Sequence, residues 1–293
     1  MKPVLVVLAA GMAKRFGGGC KPLAPLGLRG EAVIDLTTGD ALRAGFGDVI
    51  LVIGPQTGPA IEYHVRRTWP RSVNVSFALQ EVPLGTAHAL LCAHPTVEDR
   101  SFAAVNADDV YGAQPLDVLA AHLRSPALEH CLVSFQLRDS VSSAEPVTRG
   151  TCEVGQGGLL ERITERRQVT RRPDGTFHSA DGLEPSELDP STPVSMNLWG
   201  LRPTIWPVLE NAVVAVHGED PTKHSEAEVL LPEVVGEMVE GRTKGGVQHV
   251  RVLRGEGRCV GVTHAADLPA VRAELAGMIA RGMRSESPWD GVA

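Results

Sequence analysis

The chain has 293 residues, a formal net charge of −7 and five scattered cysteines. Its acidic balance argues against a nucleic-acid backbone as the main partner, because no excess of Lys and Arg is available to neutralise phosphates. An odd number of cysteines without C-x-x-C spacing suits reduced thiols in a cytoplasmic protein rather than a disulfide framework. Since no apolar run approaches the roughly 20 residues of a membrane span, we expect no membrane partner. The length allows one large α/β domain or two small ones.

The N-terminal stretch 4–23 combines an apolar run with a loop of small and cationic residues. An unbroken apolar run is typical of a buried parallel strand. The glycines that follow let backbone N–H groups approach an anion, and Lys14, Arg15 and Lys21 complement phosphate charge. The spacing fits neither the dinucleotide fingerprint G-x-G-x-x-G nor the Walker loop G-x-x-x-x-G-K-[ST]. A glycine-rich turn between a strand and a helix is the structural alternative.

Strands and helices alternate through the next part of the chain. The pattern predicts a helix over 31–44, a strand over 49–53, a helix over 59–68 and a strand over 73–77. This alternation indicates βαβ units, which build a parallel sheet.

The segment 80–90 reads Q-E-V-P-L-G-T-A-H-A-L and follows the third predicted strand. A glutamine amide can pair with a nucleobase edge by donating and accepting at once. Gly85 would let that edge lie against the backbone, and a helix that starts near Thr86 offers free N–H groups. For His88 we favour the simpler interpretation, a semi-buried histidine near a helix N-terminus.

An apolar strand over 102–106 runs into the carboxylates of Asp108 and Asp109. Hard oxygen ligands at the carboxyl end of a strand suit Mg²⁺, which takes one or two carboxylates and completes its shell with water and phosphate oxygens. The alternative is an Asp-rich turn that caps a helix beginning near Pro115. Because this segment and the N-terminal loop follow different strands, both can contribute to one crevice.

The rest of the chain is predicted to contain further strands and helices around one long polar segment. That segment, 171–193, is either a mobile lid or a disordered insertion, and its Pro, Asp and Ser content favours disorder. The other predicted elements are a strand over 130–137, short strands around a glycine turn between 149 and 166, a strand over 194–201, a helix from Pro203, a helical stretch over 225–240, strands over 247–253 and 259–262, a helix over 267–280 and a polar tail over 281–293.

These segments resemble the sugar-1-phosphate nucleotidyltransferase, or nucleotide-sugar pyrophosphorylase, family, and most of all a little-characterised bacterial subgroup. The family opens with L-A-A-G-x-G-x-R followed by K-P, which is matched here by Leu8, Ala9, Ala10, Gly11, Arg15 and Lys21-Pro22. Ala13 stands where the family usually has Gly, and Lys14 stands where it usually has Ser or Thr.

The resemblance implies an α/β fold of the nucleotide-diphospho-sugar transferase type, a Rossmann-like, mixed and mainly parallel sheet flanked by helices. It implies a single domain over 1–280, with a nucleotide-binding half over 1–125 and a sugar-phosphate-binding half over 126–280. Residues 281–293 would follow as the polar tail.

The resemblance also implies roles for individual residues. In the nucleotide half, Arg15 and Lys21 would neutralise the phosphates, Asp108 would hold Mg²⁺ and Asp109 would contact substrate or support Asp108. The base would be bound by Gln80, Gly85 and Thr86.

In the other half, the sugar would meet Gly150, Glu165 and Asn197, and Arg166 would hold the sugar phosphate. Related enzymes usually place a second metal ligand at the end of a late strand. This chain has Thr263 there, so Asp267, one helical turn further on, is the candidate.

The implied reaction transfers an NMP from an NTP, with a pyrimidine nucleotide favoured, to a sugar-1-phosphate and releases pyrophosphate. One alternative is the same transfer to a non-sugar phosphate such as phosphocholine or a phospho-polyol. Another is a catalytically inactive regulator that binds sugar nucleotides, which Ala13 and the missing late carboxylate would favour. The sequence is compatible with a homo-oligomer.

Overall fold

The computed structural model describes residues 1–11, 20–141, 145–218, 227–261, 268–282 and 284–292. The helices in these ranges are α1 (Val33–Ala44), α2 (Gly58–Thr68), α3 (Thr86–Val97), α4 (Ala113–Arg124), α5 (Leu137–Ser140), α6 (Trp206–His217), α7 (Leu231–Val239) and α8 (Leu268–Ala280). Within the described part of the chain, no helix has the length and apolarity that a membrane crossing needs.

The strands are β1 (Val4–Ala9), β2 (Val49–Ile53), β3 (Val75–Leu79), β4 (Phe102–Asn106), β5 (Asp109–Val110), β6 (His130–Gln136), β7 (Val147–Val154), β8 (Leu160–Arg171), β9 (Phe177–Ser179), β10 (Glu187–Leu188), β11 (Pro193–Leu201), β12 (Val250–Arg254) and β13 (Val260–Gly261). Nearly all described strands belong to one sheet, and β5 and β13 form a separate antiparallel pair.

A parallel array in the order β3-β2-β1-β4 forms the centre of the sheet. Strands β1, β2 and β4 are buried on both faces, which is why their sequences are continuous apolar runs, whereas β3 at the end of the array is only partly buried. Helices connect these strands, so their carboxyl ends lie at one edge of the sheet. The structure confirms the predicted mixed, mainly parallel sheet flanked by helices.

The sheet branches at β11, which lies antiparallel to β4, β6 and β7. The end of β11 near Trp199 pairs with β4, whereas Val194 and Ser195 pair with β7. The register against β6 shifts between Ser195 and Trp199, and Asn197 within that shift has a φ of 57°. A register shift of this kind re-aims side chains and is often found beside functional sites.

The polar segment 171–193 is ordered, so the prediction of disorder is wrong. It forms β9, which pairs antiparallel with β8, and β10, which pairs antiparallel with β9 and extends the sheet by one more strand. Phe177 and Leu188 pack into the main core and anchor the segment. A few buried apolar side chains in a polar stretch are a weak sequence signal, although they are sufficient to order the chain here.

The C-terminal residues predicted as a polar tail lie against α1. Arg284 is buried beside Asp40 with an N–O distance of 2.8 Å, and its guanidinium also donates to the Leu36 carbonyl at 2.9 Å. A Cβ added at Gly39 would collide with the backbone of Pro288. Gly39, which interrupts the helical pattern of α1, therefore allows the C-terminal segment to approach the helix backbone.

We expect Arg284→Met to lower the free energy of unfolding by about 2 kcal/mol, because the buried Asp40 carboxylate loses one of two charged partners and keeps Arg43. Urea unfolding of the variant and the parent protein measures the difference.

The matched control is Arg29→Met, which removes an ion pair to Glu286 whose side chains are 69% and 61% exposed. Exposed pairs contribute little, so a loss of at most about 0.5 kcal/mol is expected for the control. Equal losses for the two variants would contradict the assignment of Arg284 as a buried tether.

Candidate active site

A cavity of about 220 Å³ opens at the carboxyl edge of the sheet, where β4 meets β7, β8 and β11. Its walls include predicted site residues from both halves of the chain: Asp109, Gly150, Glu165 and Asn197. In an α/β protein this edge is where ligands bind, because the loops that follow the strands leave a crevice there.

Asp108 and Asp109 follow β4 and differ strongly in burial. The Asp109 carboxylate is buried and accepts a hydrogen bond from the Asn106 side chain at 2.9 Å. Its backbone carbonyl accepts from the Thr37 hydroxyl of α1 at 2.5 Å. Burial, and then the charge of Asp108, raise the pKa of Asp109 to about 7. Asp109 is therefore a fixed, protonatable group in the cavity wall.

The Asp108 side chain is 37% exposed and lies beside Lys21, whose Nζ is 3.7 Å from the Asp108 carboxylate. Lys21 begins a short helical turn, and its neighbour Pro22 is buried. The structure thus places Lys21, which was predicted to neutralise phosphates, next to Asp108, which was predicted to hold Mg²⁺. A partly exposed carboxylate oxygen suits a hard cation such as Mg²⁺, which needs only one or two carboxylates when phosphates and water complete its shell.

Other predicted residues for phosphate or metal binding lie outside the described residues: Arg15, Asp267, and the departures Ala13, Lys14 and Thr263. Within the described ranges, no group of three or more His, Cys, Asp or Glu side chains is arranged to hold a metal ion. Of the predicted opening motif, Leu8 and Ala9 end β1 and Ala10 and Gly11 follow it. Leu8 is the register partner of Asn106 in β4.

The predicted base-binding residues lie where β3 leads into α3. Gln80 is 5% exposed, and its side-chain nitrogen donates to the Gly85 carbonyl at 3.0 Å. The same nitrogen lies 3.1 Å from Nδ1 of His88. The Thr86 hydroxyl accepts from the Leu231 amide at 2.8 Å, which ties α3 to α7.

Another segment of the chain packs closely against the backbone of Gly85. Gly85 has a φ of 98°, and a Cβ there would lie 2.5 Å from the Val229 carbonyl oxygen. The positive φ and the contact with the segment before α7 therefore account for a glycine at this position without a ligand. That Gly85 and Thr86 contact the base stays a prediction.

The predicted sugar-binding residues converge on the cavity from three strands. Gly150 in β7 is the register partner of Glu165 in β8 and of Ser195 in β11. The Asn197 side chain accepts from the Trp199 indole at 3.2 Å. The Glu165 carboxylate accepts from the Arg167 guanidinium at 2.9 Å and remains 32% exposed.

Arg166 does not line this cavity, which corrects its predicted placement at a sugar phosphate. Its guanidinium is buried, donates to Asp181 at 2.8 Å and bonds the carbonyls of Leu183 and Pro185 at 3.0 Å. The physical reason is the alternation of side chains along a strand, since Glu165 and Arg166 point to opposite faces of β8. The Arg166 hydrogen bonds hold the pKa of Asp181 well below its usual range.

Five polar residues of the cavity wall were not predicted from the sequence: Asn106, Thr148, Arg149, Ser195 and Glu233. Arg149 directly precedes the predicted glycine Gly150, and its guanidinium donates to the carbonyls of Ser140 and Thr148. Burial lowers the pKa of Arg149, and the charge of Asp109 opposes that shift. Burial, and then the charge of Glu165, raise the pKa of Glu233. Only adjacency to predicted motifs could have indicated Asn106 and Arg149.

Residues 4–167 match the family model described as Nucleotidyl transferase. The chain belongs to this nucleotidyl transferase family. It is 28% identical over 169 residues, 56% of the chain, to "Bifunctional protein GlmU" of Geotalea uraniireducens, and this match covers 34% of that protein. It is 30% identical over 95 residues, 32% of the chain, to the protein of the same name from Clostridium botulinum, of which 19% is covered. The chain thus spans about a third or less of these curated relatives.

Solved structures share the fold over nearly the whole chain. The inositol-1-phosphate CTP transferase from T. maritima has a TM-score of 0.66 and 16% identity, with 96% of this chain and 97% of that chain covered. The UTP-bound UGPase from Acinetobacter baumannii has a TM-score of 0.63 and 16% identity, with 95% and 94% covered. A UDP-glucose pyrophosphorylase complexed with UDP-glucose has a TM-score of 0.64 and 15% identity, with 94% and 99% covered.

The pairing of Arg166 with Asp181 gives a pH-dependent prediction for stability. Because the pKa of Asp181 is lowered on folding, the pair stabilises the protein above the unfolded pKa of about 3.9. That stabilisation is lost as the pH falls toward the folded pKa. We therefore expect Asp181→Asn to be destabilising at pH 7, with a difference from the parent protein that shrinks below about pH 4.

Urea unfolding at several pH values between neutrality and acid measures this difference. The control is Glu187→Gln, which removes an exposed pair with Arg172, and it should show only a small effect at every pH. A difference for Asp181→Asn that stayed constant down to pH 3 would rule out the ion pair as its source.

Proposed function

We propose that this protein transfers the NMP of a pyrimidine nucleoside triphosphate to a sugar-1-phosphate and releases pyrophosphate. The observation that carries this proposal is the position of Lys21 and Asp108 beside a cavity walled by Asp109, Glu165 and Asn197. A phosphate-binding edge thereby adjoins a pocket of carboxylate and amide groups, which suits hydroxyl-rich molecules.

In the proposed reaction, a phosphate oxygen of the acceptor attacks the α-phosphorus of the triphosphate. The new P–O bond forms as the bond from the α-phosphorus to the bridging oxygen breaks, and pyrophosphate leaves with the bonding electrons. Such chemistry depends on positioning and on charge neutralisation more than on proton transfer. Lys21 would orient and neutralise the phosphates near Asp108.

Mg²⁺ fits the donor set at this edge. Asp108 would supply the exposed carboxylate oxygen, with Asp267 as the proposed second ligand. When bound, the cation would neutralise charge on the triphosphate. Asp109, held by Asn106 and Thr37, would fix the chain beside the ligand rather than bind the cation itself.

On the acceptor side, Glu165 and Asn197 would read sugar hydroxyls, since a carboxylate accepts from them and an amide also donates. Arg149 is the cation in the described cavity wall, so we assign to it the positive charge that Arg166 cannot supply.

The choice between acceptors rests on side-chain chemistry. A quaternary ammonium group is usually recognised by aromatic rings. Phe177, the aromatic residue of the 171–193 segment, is 1% exposed in the core, so phosphocholine is disfavoured. A cyclic polyol phosphate stays a second candidate, because hydroxyl recognition is shared and an inositol-1-phosphate CTP transferase has the same fold. Names of the structural neighbours mention UTP, UDP-glucose and CTP, which supports a pyrimidine donor.

We also infer a cytoplasmic location from the thiols. All five cysteines are free, and three of them, Cys131, Cys152 and Cys259, are buried. Burial raises the pKa of Cys131 and Cys152 to about 12, so these thiols remain protonated and unreactive. Such cysteines suit a reducing compartment.

The test of the proposed function is a pyrophosphate-release assay with UTP, dTTP, CTP, ATP and GTP against hexose-1-phosphates, inositol-1-phosphate and phosphocholine. Release with a pyrimidine triphosphate that depends on a sugar-1-phosphate is expected. Better kcat/KM with ATP or GTP would contradict the pyrimidine assignment. Binding of sugar nucleotides without turnover of any pair would instead favour an inactive regulator.

For Asp108→Asn we expect turnover to fall by at least about 100-fold, because the shape is kept and the charge that supports the phosphates is lost. The measurement is kcat at saturating Mg²⁺ and substrates. Asp117→Asn, an exposed substitution on α4, is the matched control and should keep parental activity. Near-normal turnover of Asp108→Asn would remove Asp108 from the proposed metal site.

A further inference from the structure

The orientation of the Gln80 amide is fixed by its partners. The Gly85 carbonyl can only accept a hydrogen bond, so the atom 3.0 Å from it must be the amide nitrogen. The Gln80 backbone is also held, because its N–H donates to the Ile53 carbonyl at the end of β2 at 2.8 Å. The side chain, 5% exposed, therefore has one defined orientation.

The second hydrogen of that amide nitrogen has its own acceptor. Nδ1 of His88 lies 3.1 Å away, and a bond with a donor requires that Nδ1 carries no proton. The ring proton then sits on Nε2, which is 3.8 Å from the Cys92 sulfur. Burial lowers the pKa of His88 below its ordinary value of 6.5, which keeps the ring neutral.

Both amide hydrogens of Gln80 are thus committed within the protein. In the described part of the chain, no hydrogen bond is made to its carbonyl oxygen. Gln80 can consequently accept from a ligand but has no hydrogen left to donate. This differs from the expectation that its amide donates and accepts at once.

We propose that His88 is a positioning residue that holds Gln80 as a pure acceptor, so that the protein selects a base with a ring N–H, the N3–H of uracil or thymine. The inference rests on the proposed function, because it concerns the base of the same nucleotide. It assigns to His88 a part in specificity that its sequence context did not indicate.

The same arrangement predicts that recognition of the base by Gln80 weakens at low pH. Around His88 lie Cys92 on the same helix, His217 on α6 and the Val82 carbonyl in the preceding loop, and the charge of Glu81 acts on Cys92. The Val82 carbonyl favours the protonated ring and the charge of His217 disfavours it, whereas burial is the largest effect. As the pH falls through the lowered pKa of His88, Nδ1 gains a proton and can no longer accept from Gln80.

A pair of substitutions tests the role of the ring. His88→Leu removes the acceptor, whereas His88→Asn can keep one, because Oδ1 of Asn is attached at the same point of the side chain as Nδ1 of His. For His88→Leu we expect KM for UTP to rise about tenfold with kcat changed less than about twofold, the scale of one lost hydrogen bond. His88→Asn should restore most of the affinity. The KM of the parent protein for UTP should rise as the pH falls through the lowered pKa of His88, and this rise should be absent in His88→Asn.

The base contact is tested with N3-methyl-UTP, which lacks the N–H. The parent protein should bind it at least about tenfold more weakly than UTP, and His88→Leu should discriminate less, because its Gln80 amide is free to turn. Equal binding of the two nucleotides by the parent, or equal KM values for the parent and His88→Leu, would overturn the inference. So would identical behaviour of the Leu and Asn variants.

Binding is measured by isothermal titration calorimetry as well as by turnover, and thermal unfolding confirms that each variant folds. A parent protein that binds UTP but not its N3-methyl analogue supports the inference even if the acceptor is misassigned. A parent protein that binds no nucleoside triphosphate refutes the proposed function itself.

Discussion

The Tyr111 hydroxyl connects the two parts of the sheet that form the candidate site. It accepts a hydrogen bond from the backbone N–H of Asn106, at the end of β4, at 2.9 Å. It donates to the Met196 carbonyl, within the register shift of β11, at 3.0 Å. Burial raises the pKa of Tyr111 well above its ordinary value, so the hydroxyl keeps the proton that it donates. Together with the direct pairing of β11 and β4, these two hydrogen bonds position Asn197 relative to the acidic pair.

A difference in burial makes the two adjacent carboxylates, Asp108 and Asp109, chemically different. Asp109 lies inside the cavity wall, where desolvation raises its pKa to about 7. The side-chain amide of Asn106 donates a hydrogen bond to its carboxylate. Asp108, the residue before it, has a side chain that is 37% exposed, and its carboxylate lies 3.7 Å from Nζ of Lys21. A sequence of two adjacent carboxylates thus gives one structural acid and one group free for a cation. The repulsion between Asp108 and Asp109 would be larger if both carboxylates were ionised.

Elements with continuous apolar runs were predictable, and those that depend on a few tertiary contacts were not. β2 has the predicted bounds because every one of its residues is buried. The segment 171–193 and the C-terminal residues are polar, and they are ordered by Phe177, Leu188 and the Arg284–Asp40 pair. The predicted site residues mostly reach one edge, because strand ends converge there. Arg166 did not, since its motif fixes sequence adjacency but not the face of the strand.

Arg149 lines the cavity and Arg166 does not, which affects the kind of acceptor that the cavity can bind. Arg166 neutralises Asp181 on the far face, so its charge is unavailable to a ligand. Arg149 lies near Asp109, at the end of the cavity that we propose binds phosphate, whereas Glu165 and Glu233 line the same cavity and repel each other. The described wall of the cavity has one cation beside several acceptors, which suits a molecule with a single anionic group and many hydroxyl donors. A second anionic substituent on the acceptor would meet these carboxylates, which argues against acidic sugars and favours neutral ones.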